Sequence, residues 1–329
     1  MLSPSAVVKF AILPYSWDGS KWMMRNMQRD VALCFLVARP YFGSFRRRPG
    51  RNAWHLIRRA AGMLPMLGQL AGRDDFQHGL QTAIASIRRH AARVPPVLLL
   101  TPEAMARPPG VDTVIPIDPA PFEDAAQCNF SMGGLSTYFK LALFGIEGWK
   151  RVIYLDTDTL ALGDLSELWD LEHFADKAIY AVRETAEMGP WHGALGKLNT
   201  GVMIVNAPLL DRRIYSAMLE LTRIERSYDG GDQGIINSFL ANHRAEFEVG
   251  ELPEEYNVFV NDRIASRWPL IGERAKMLHF VGRIKPWKRY YQRACPYGRE
   301  FKLMWDEAAW QAIQDQVKSG ECSISAQQT

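Results

Sequence analysis

Short runs of apolar and β-branched residues recur along the chain, separated by stretches whose apolar residues lie three or four apart. The runs are long enough for buried strands, and the spaced stretches are typical of helices with one apolar face. Because strands alternate with helices, the pattern predicts an α/β fold with a mainly parallel central sheet flanked by helices. The predicted strands are residues 31–37, 97–100, 113–117, 152–155, 178–182, 201–205 and 276–281. The predicted helices are residues 77–93, 135–144, 165–171, 208–226, 235–241 and 299–319.

The composition is that of a globular protein, with 329 residues of which 47% are hydrophobic. We expect one main domain over residues 31–298, an N-terminal extension over residues 1–30, and a C-terminal helix and tail over residues 299–329. The four cysteines are far apart and form no Cys-x-x-Cys pair, which favours reduced thiols in a cytosolic protein. No membrane-length apolar run and no signal-peptide pattern is visible, so we predict a cytoplasmic location.

A basic insertion interrupts the predicted domain over residues 40–75. Residues 40–73 contain seven arginines and no acidic residue, although the whole chain carries a net charge of only +3. Four apolar residues in it recur at helical spacing: Trp54, Ile57, Ala61 and Leu64. A basic amphipathic helix can lie on an anionic membrane surface or hold an anionic substrate. It can equally be a solvated insertion whose apolar stripe packs on its own domain, and both alternatives stay open.

Two carboxylates, Asp156 and Asp158, follow the predicted strand 152–155 directly. Residues i and i+2 of a strand point to the same side, so the two can converge at the edge where α/β sheets bind ligands. Close carboxylates repel each other, and a divalent cation such as Mg²⁺ or Mn²⁺ removes the conflict. The pattern favours a metal site that carries a phosphate ligand. The alternative is a polar turn with two solvated aspartates, because Asp-x-Asp is common by chance.

Further motifs stand in a fixed order around this pair: Lys140 in a predicted helix, Asp156-x-Asp158, Asn199-Thr-Gly201, Asp229-Gly-Gly-Asp232-Gln233-Gly and His279-Phe-Val-Gly282-Arg-Ile-Lys285-Pro-Trp. The ordered set resembles glycosyltransferase family 8, the retaining transferases that include glycogenin, galactinol synthases and bacterial lipopolysaccharide galactosyltransferases. The resemblance covers about residues 31–287, and the glycogenin-like branch is the most similar. It implies a GT-A-type nucleotide-sugar-binding fold and a hexosyltransferase that uses a UDP-sugar with Mn²⁺ or Mg²⁺.

The resemblance also implies roles for individual residues. Asp156, Asp158 and His279 would ligate the metal, and without the resemblance His279 is an ordinary strand histidine. The implied donor-binding residues are Leu36, Tyr41, Asp156, Thr157, Asn199, Asp229, Gly282 and Lys285, of which the last two would contact the diphosphate. The implied catalytic residues are Lys140, Asp232 and Gln233. Without the resemblance, Asp232 is a residue that caps the helix after it.

Three departures from the family pattern bear on the substrates. Residues 38–40 are Ala-Arg-Pro, where relatives carry small hydroxyl residues beside the uracil. The acidic residue that glycogenin has shortly before Asn-x-Gly has no clear match, although His192 lies nearby. No counterpart of glycogenin's self-glucosylated tyrosine is visible. We therefore leave glucose or galactose open as the sugar and expect an external carbohydrate, polyol or lipid-linked acceptor.

A second basic cluster leaves the partners open. It consists of Arg283, Lys285, Lys288, Arg289 and Arg293, interleaved with Trp287, Tyr290 and Tyr291. Cationic and aromatic residues together suit a membrane interface, so one prediction is a peripheral enzyme on the cytoplasmic membrane face. The alternative is that Lys285 serves the UDP and the rest is solvated surface. We expect no nucleic-acid partner, and a homodimer is a further expectation.

Three competing hypotheses remain. Asp156 and Asp158 also fit the nucleophile motif of haloacid-dehalogenase-like phosphatases, in which the first Asp attacks a phosphoryl group with Mg²⁺ bound. That class needs a later strand ending in paired acids, whereas the late strand here ends in His279-Phe-Val-Gly. A sugar nucleotidyltransferase would need a Gly-rich loop after the first strand. A degenerate nucleotide-sugar-binding protein is disfavoured because every residue type of the metal site is present.

Overall fold

The computed structural model describes residues 29–41, 75–127, 134–189, 193–281, 285–288 and 291–318, with only the backbone of residues 75–77. Predictions for the N-terminal extension before Arg29, for most of the basic insertion, and for the C-terminal tail lie outside the described residues. The same is true of five residues singled out from the sequence: His192, Gly282, Arg283, Arg289 and Tyr290.

Ten strands form two sheets in the part of the chain that the structure describes. They are β1 Arg29–Leu36, β2 Val97–Thr101, β3 Thr113–Pro116, β4 Trp149–Leu155, β5 Thr159–Ala161, β6 Ile179–Arg183, β7 Leu198–Asn206, β8 Val249–Glu251, β9 Val258–Phe259 and β10 Met277–His279. The larger sheet has the order β3-β2-β1-β4-β7-β6-β8, and the smaller one has the order β5-β10-β9. In the larger sheet β7 runs antiparallel to both of its neighbours, and all other pairs are parallel.

Six α-helices surround the sheets within the described ranges: α1 Asp75–His90, α2 Ser166–Trp169, α3 Arg212–Ile224, α4 Asp232–Asn242, α5 Ile264–Ile271 and α6 Gly298–Lys318. Short 3₁₀ turns span Ala120–Phe122, Ala186–Met188, Ala207–Leu209, Glu254–Tyr256 and Tyr291–Arg293, and a longer 3₁₀ helix spans Leu135–Gly145. The α/β layout and its mainly parallel central sheet therefore follow the prediction.

Both faces of the central sheet are covered, which explains why its strands are continuous apolar runs. Along β4, Val152 and Tyr154 face the 3₁₀ helix together with α3 and α4, while Ile153 and Leu155 face α1. A third apolar cluster joins the small sheet to α5 and α6, and α6 also packs on α1. The strand that ends in the two aspartates is thus rigidly held from both sides.

Three details differ from the prediction. The stretch predicted as helix 135–144 is a 3₁₀ helix, and most of its side chains are buried, so packing on all sides rather than one apolar face shapes it. Helix α5 was not predicted because Pro269 lies inside it, where proline removes a backbone donor. Strands β5, β8 and β9 have two or three residues each, too few to show an apolar period.

Candidate active site

Asp156, Asp158 and His279 converge at the end of β4. Strand β10 runs antiparallel to β5 with His279 opposite Thr159, and Phe280 N donates to the backbone oxygen of Asp158 at 2.9 Å. The Nε2 atom of His279 lies 3.6 Å from Asp156 Oδ2 and 3.5 Å from Asp158 Oδ1. One ligand atom from each of the three residues lies within 4.8 Å of the others. The small sheet therefore brings together residues that are more than a hundred positions apart.

Lys140 connects Asp156 to Asp232. Its Nζ atom lies 3.1 Å from Asp156 Oδ1 and 3.1 Å from Asp232 Oδ2, and it also donates to the backbone oxygen of Thr200 at 3.1 Å. Burial raises the pKa of both carboxyls, and the Lys140 ammonium offsets part of that effect. Burial alone would lower the pKa of Lys140, but the two aspartates outweigh it and raise that pKa.

Lys285 neutralises the second aspartate of the pair. Its ammonium donates to Asp158 Oδ2 and, at 2.9 Å, to the backbone oxygen of Phe280. Burial raises the pKa of Asp158, but the charge and the hydrogen bond of the Lys285 ammonium outweigh burial and hold that pKa well below its ordinary value. Asp158 is therefore an anion across the neutral pH range.

A buried group of polar side chains lies beside Asp156, Asp158 and His279, which we call the triad. Asn199 Nδ2 donates to Gln233 Oε1 at 3.1 Å and to Glu184 Oε1 at 2.9 Å. Gln233 Nε2 also donates to Glu184 Oε1, at 2.9 Å. Thr200 Oγ1 donates to Asp232 Oδ2 at 2.8 Å, so the group is continuous with the Lys140 contacts. Asn199, Asp232 and Gln233, all singled out from the sequence, are thus brought together.

Glu184 was missed by the sequence analysis. It directly follows β6, is 1% exposed, and burial raises its pKa. Its Oε2 atom has no hydrogen-bond partner among the described residues. The signal that could have found it is the one that found Asp156: an acidic residue placed directly after an apolar strand. No clear acidic residue is recognisable ahead of Asn199 from the sequence, whereas the structure places Glu184 in contact with the Asn199 side chain.

The glycine-rich loop before α4 is organised by Asp229. Its Oδ1 atom accepts from Gly231 N at 3.1 Å and from Gly234 N at 3.0 Å, and the Ser227 hydroxyl also donates to it. Asp229 therefore satisfies backbone donors at the start of the helix. The alternative role proposed for Asp232, capping this helix, is wrong because Gly231 is the capping residue and Asp232 contacts Thr200 and Lys140.

Of the remaining predicted residues, Leu36 and Tyr41 lie on the β1 side of β4, Thr157 follows β4, and Gly282 is outside the described part. Leu36 ends β1, and Tyr41 packs on Phe139 with ring centroids 5.8 Å apart while its hydroxyl donates to Glu123. Thr157 is 5% exposed between the two aspartates. Gly282, predicted beside the diphosphate, lies outside the described residues.

The residues present fit a divalent cation. Two carboxylates and one imidazole are a donor set that suits Mn²⁺ or Mg²⁺ better than a thiolate-selecting metal. Nδ1 of His279 is engaged by Asn257 Oδ1 at 2.9 Å, which leaves Nε2 as the ring atom that faces the carboxylates. Asp156, Asp158 and His279 could therefore hold a metal, as the sequence analysis predicts.

Comparison with known proteins agrees with this arrangement. The sequence profile of glycosyl transferase family 8 matches residues 70–290. Human Glycogenin-1 is 28% identical over 234 residues, which cover 68% of this chain and 62% of the human protein. Inositol phosphorylceramide glucuronosyltransferase 1 of Arabidopsis thaliana is 25% identical over 169 residues, covering 46% of this chain and 28% of that protein. The chain belongs to glycosyltransferase family 8, and it spans less than two thirds of the length of these curated relatives.

Solved structures show the same fold. The glycosyltransferase GlyE of Streptococcus pneumoniae superposes with a TM-score of 0.54 at 16% identity, covering 91% of this chain and 66% of GlyE. The galactosyltransferase LgtC, solved with donor and acceptor sugar analogues, gives a TM-score of 0.54 at 18% identity and covers 84% of this chain and 95% of LgtC. The predicted GT-A-type fold and the predicted family are confirmed, and the phosphatase hypothesis is not favoured.

Proposed function

We propose that the chain transfers a hexose, glucose or galactose, from a UDP-sugar to the hydroxyl group of an external acceptor, with retention of configuration and with Mn²⁺ as the metal. One observation carries the proposal: the triad of Asp156, Asp158 and His279 shares its sheet edge with a polar group joined to it by Lys140. A metal held by the triad would bind the diphosphate of the donor. The buried polar group suits the hydroxyls of the donor sugar.

The triad would hold the metal, which supplies charge neutralisation for the diphosphate as the bond between sugar and phosphate breaks. Lys285 would leave Asp158 and bind the diphosphate, since its ammonium already lies at this edge. Tyr41 and Leu36 would contact the base, and Gly282 and Thr157 the phosphates.

The donor sugar would lie against the buried polar group. Asp229 and Asn199 offer oxygens and an amide to sugar hydroxyls, and Asp232 with Gln233 would face the anomeric carbon. Lys140 would keep Asp232 ionised as positive charge develops on the sugar, because it contacts that carboxylate at 3.1 Å.

The acceptor is proposed to be a carbohydrate, a polyol or a lipid-linked sugar. The Arabidopsis relative is an inositol phosphorylceramide glucuronosyltransferase by name, which supports a lipid-linked acceptor. A peripheral position on the cytoplasmic membrane face is part of the same proposal and follows from the two basic segments of the sequence. Among the described residues no helix is long and apolar enough to cross a membrane. Tyr291, one aromatic residue of the second basic cluster, is 2% exposed and packs on Phe280, so it cannot contact lipid. A homodimer remains an expectation that sedimentation velocity would test.

The experiment is nucleotide release from a panel of UDP- and GDP-sugars with and without Mn²⁺. We expect UDP release from one UDP-hexose only when the metal is present, and Asp158→Asn should abolish it while the fold survives. Asp164→Asn is the matched control, because Asp164 is an exposed carboxylate that accepts hydrogen bonds from the backbone and the hydroxyl of Ser166 and has no contact with the three candidate ligands among the described residues. Release that is unaffected by Asp158→Asn, or phosphate release from a generic phosphoester with no UDP release, would refute the proposal.

A further inference from the structure

A chain of buried polar side chains joins His279 to Gln233. Nδ1 of His279 lies 2.9 Å from Oδ1 of Asn257, whose Nδ2 atom donates to Oδ1 of Asn199 at 2.9 Å. Nδ2 of Asn199 then donates to Oε1 of Gln233 at 3.1 Å. Asn257 is 0% exposed, and each of its two side-chain polar atoms has its hydrogen bond within this chain.

The direction of these hydrogen bonds is fixed by the backbone of β7. Gly201 N lies 2.9 Å from the Asn199 side chain, and because a backbone N–H only donates, the atom that faces it is the amide oxygen Oδ1. That oxygen cannot donate, so Asn257 presents its NH₂ group to it. The amide oxygen of Asn257 is then left for His279, and the proton must come from Nδ1 of the ring.

This direction decides which ring nitrogen can bind a metal. A neutral imidazole carries one proton, so a proton on Nδ1 leaves a lone pair on Nε2. Nε2 is the atom that lies 3.6 Å from Asp156 Oδ2 and 3.5 Å from Asp158 Oδ1. A metal needs the unprotonated nitrogen, and the partner of the other nitrogen commonly fixes the tautomer.

The small sheet also fixes where Asn257 lies. Asn257 directly precedes β9, and β9 runs parallel to β10 with Phe259 opposite His279. The same pairing therefore sets the ring and its partner side by side.

We propose that Asn257 is a positioning residue that holds His279 in the tautomer with Nε2 free for a metal, and that it links this ligand through Asn199 to Gln233. The link to Gln233 matters for catalysis only if the proposed function holds, since that function assigns Gln233 to the donor sugar. The statement about the tautomer does not depend on the reaction.

The test uses the full chain labelled with ¹⁵N-histidine, without metal, and NMR of the ring nitrogens, with His279→Gln to assign the signal. We expect the Nδ1–H tautomer in the wild type. Asn257→Ala should populate the Nε2–H tautomer and weaken Mn²⁺ binding by about 10–100-fold, the usual effect of losing an outer-shell partner. Binding is measured with Mn²⁺ alone, by electron paramagnetic resonance of the free ion.

Asn257→Asp separates the two halves of the proposal. Its carboxylate still accepts from Nδ1 of His279, so the tautomer and the Mn²⁺ affinity should return to within a few-fold of wild type. It offers no N–H to Asn199, so the two oxygens oppose each other and the KM for the donor should rise about tenfold, with a smaller change in kcat.

Asn206→Asp is the matched control. Asn206 is another buried amide on β7, whose NH₂ group donates to the backbone oxygens of Phe174 and Lys177. Asn206→Asp should lower the free energy of unfolding, because it also replaces a buried amide by a carboxylate. The His279 tautomer and the Mn²⁺ affinity should stay as in the wild type.

The proposal would be overturned by an Nε2–H tautomer of His279 in the wild type, or by an unchanged tautomer and Mn²⁺ affinity in Asn257→Ala. Equal losses of Mn²⁺ affinity in Asn257→Ala, Asn257→Asp and the Asn206→Asp control would also overturn it, since they would reflect stability alone. Failure of the proposed function can be told apart from failure of this proposal. If the proposed function fails, no donor releases UDP, yet His279 still shows the Nδ1–H tautomer in the wild type and the Nε2–H tautomer in Asn257→Ala.

Discussion

Gly201→Ala should displace His279 from the candidate metal site. A Cβ atom at position 201 would lie 2.1 Å from Cε1 and 2.6 Å from Nδ1 of the His279 ring, whereas ordinary contacts begin at 3.4 Å. The ring must therefore retreat by about 1.3 Å, several times the tolerance of about 0.2 Å for a metal–ligand distance. The glycine is needed here for close approach, since its φ angle is not in the left-handed region.

The size of the effect follows from the loss of one of three protein ligands. Mutation of a residue that hydrogen-bonds to a metal ligand lowers the metal affinity by about 10–100-fold. Loss of the ligand itself should therefore lower the affinity by about 100-fold or more, which is about 2.7 kcal/mol of binding free energy. The hydrogen bonds of the Gly201 backbone, to Asn199 Oδ1 and from Asp156 N, do not need the glycine and should persist.

The assay is a Mn²⁺ titration of the metal-free protein, with circular dichroism and Tm measured on the same samples. Gly163→Ala is the matched control, because its Cβ would meet only Lys276 atoms, at 3.9 Å or more, and it should bind Mn²⁺ like the wild type. A folded Gly201→Ala protein that binds Mn²⁺ within threefold of wild type would refute the reasoning.

Three further predictions follow from charges and buried polar groups. Because burial raises the folded-state pKa of Glu184 above its ordinary 4.5, the native state holds this proton more tightly than the unfolded state, and ionisation opposes folding. The unfolding free energy of the wild type should therefore fall relative to that of Glu184→Gln as pH rises from about 4.5. Urea unfolding of both proteins from pH 4 to 8 measures this difference, and a difference that does not change with pH would contradict the prediction. Lys285→Met should strengthen Mn²⁺ binding without nucleotide by on the order of tenfold and weaken UDP binding with Mn²⁺, because the ammonium contacts Asp158; unchanged titrations would count against it. Arg151→Met should lower the unfolding free energy by about 3 kcal/mol or more, because the fully buried guanidinium donates to four backbone oxygens of residues 168–174, while Mn²⁺ affinity of the folded protein stays unchanged.

Local patterns were enough to predict the first two candidate ligands. Asp156 and Asp158 follow an apolar run, and strand geometry alone places them together at a sheet edge. Pro116 likewise indicates an edge or end position for the predicted strand 113–117, because proline cannot donate to a neighbouring strand, and β3 is an edge strand of the larger sheet. Such inferences succeed because they need only a few neighbouring residues and the period of a strand.

His279 could not be placed by the same means. Its approach to the aspartates depends on the pairing of β5 with β10. β10 lies within the predicted strand 276–281, but β5 has three residues and shows no period, so the pairing was not predicted. Only the order of motifs, through the family resemblance, connected it to the site. Asn257 had no such support, because it is a single buried polar residue whose partners come from other elements. Glu184 had only its place behind an apolar strand, which does not reveal its contact with Asn199.

The charges at the sheet edge bear on the order in which ligands bind. Among the described residues, the carboxylates of Asp156, Asp158 and Asp232 contact two ammonium groups, those of Lys140 and Lys285, so these five side chains carry one net negative charge when all are ionised. A diphosphate is therefore repelled before a divalent cation is bound and attracted afterwards, since the cation reverses the sign. Calorimetry should accordingly show UDP binding to the Mn²⁺-loaded protein and little or none to the metal-free protein. Equal affinity in both states would mean that Lys140 and Lys285 alone suffice to hold the diphosphate, and that the aspartates exert less repulsion on it than their contacts imply.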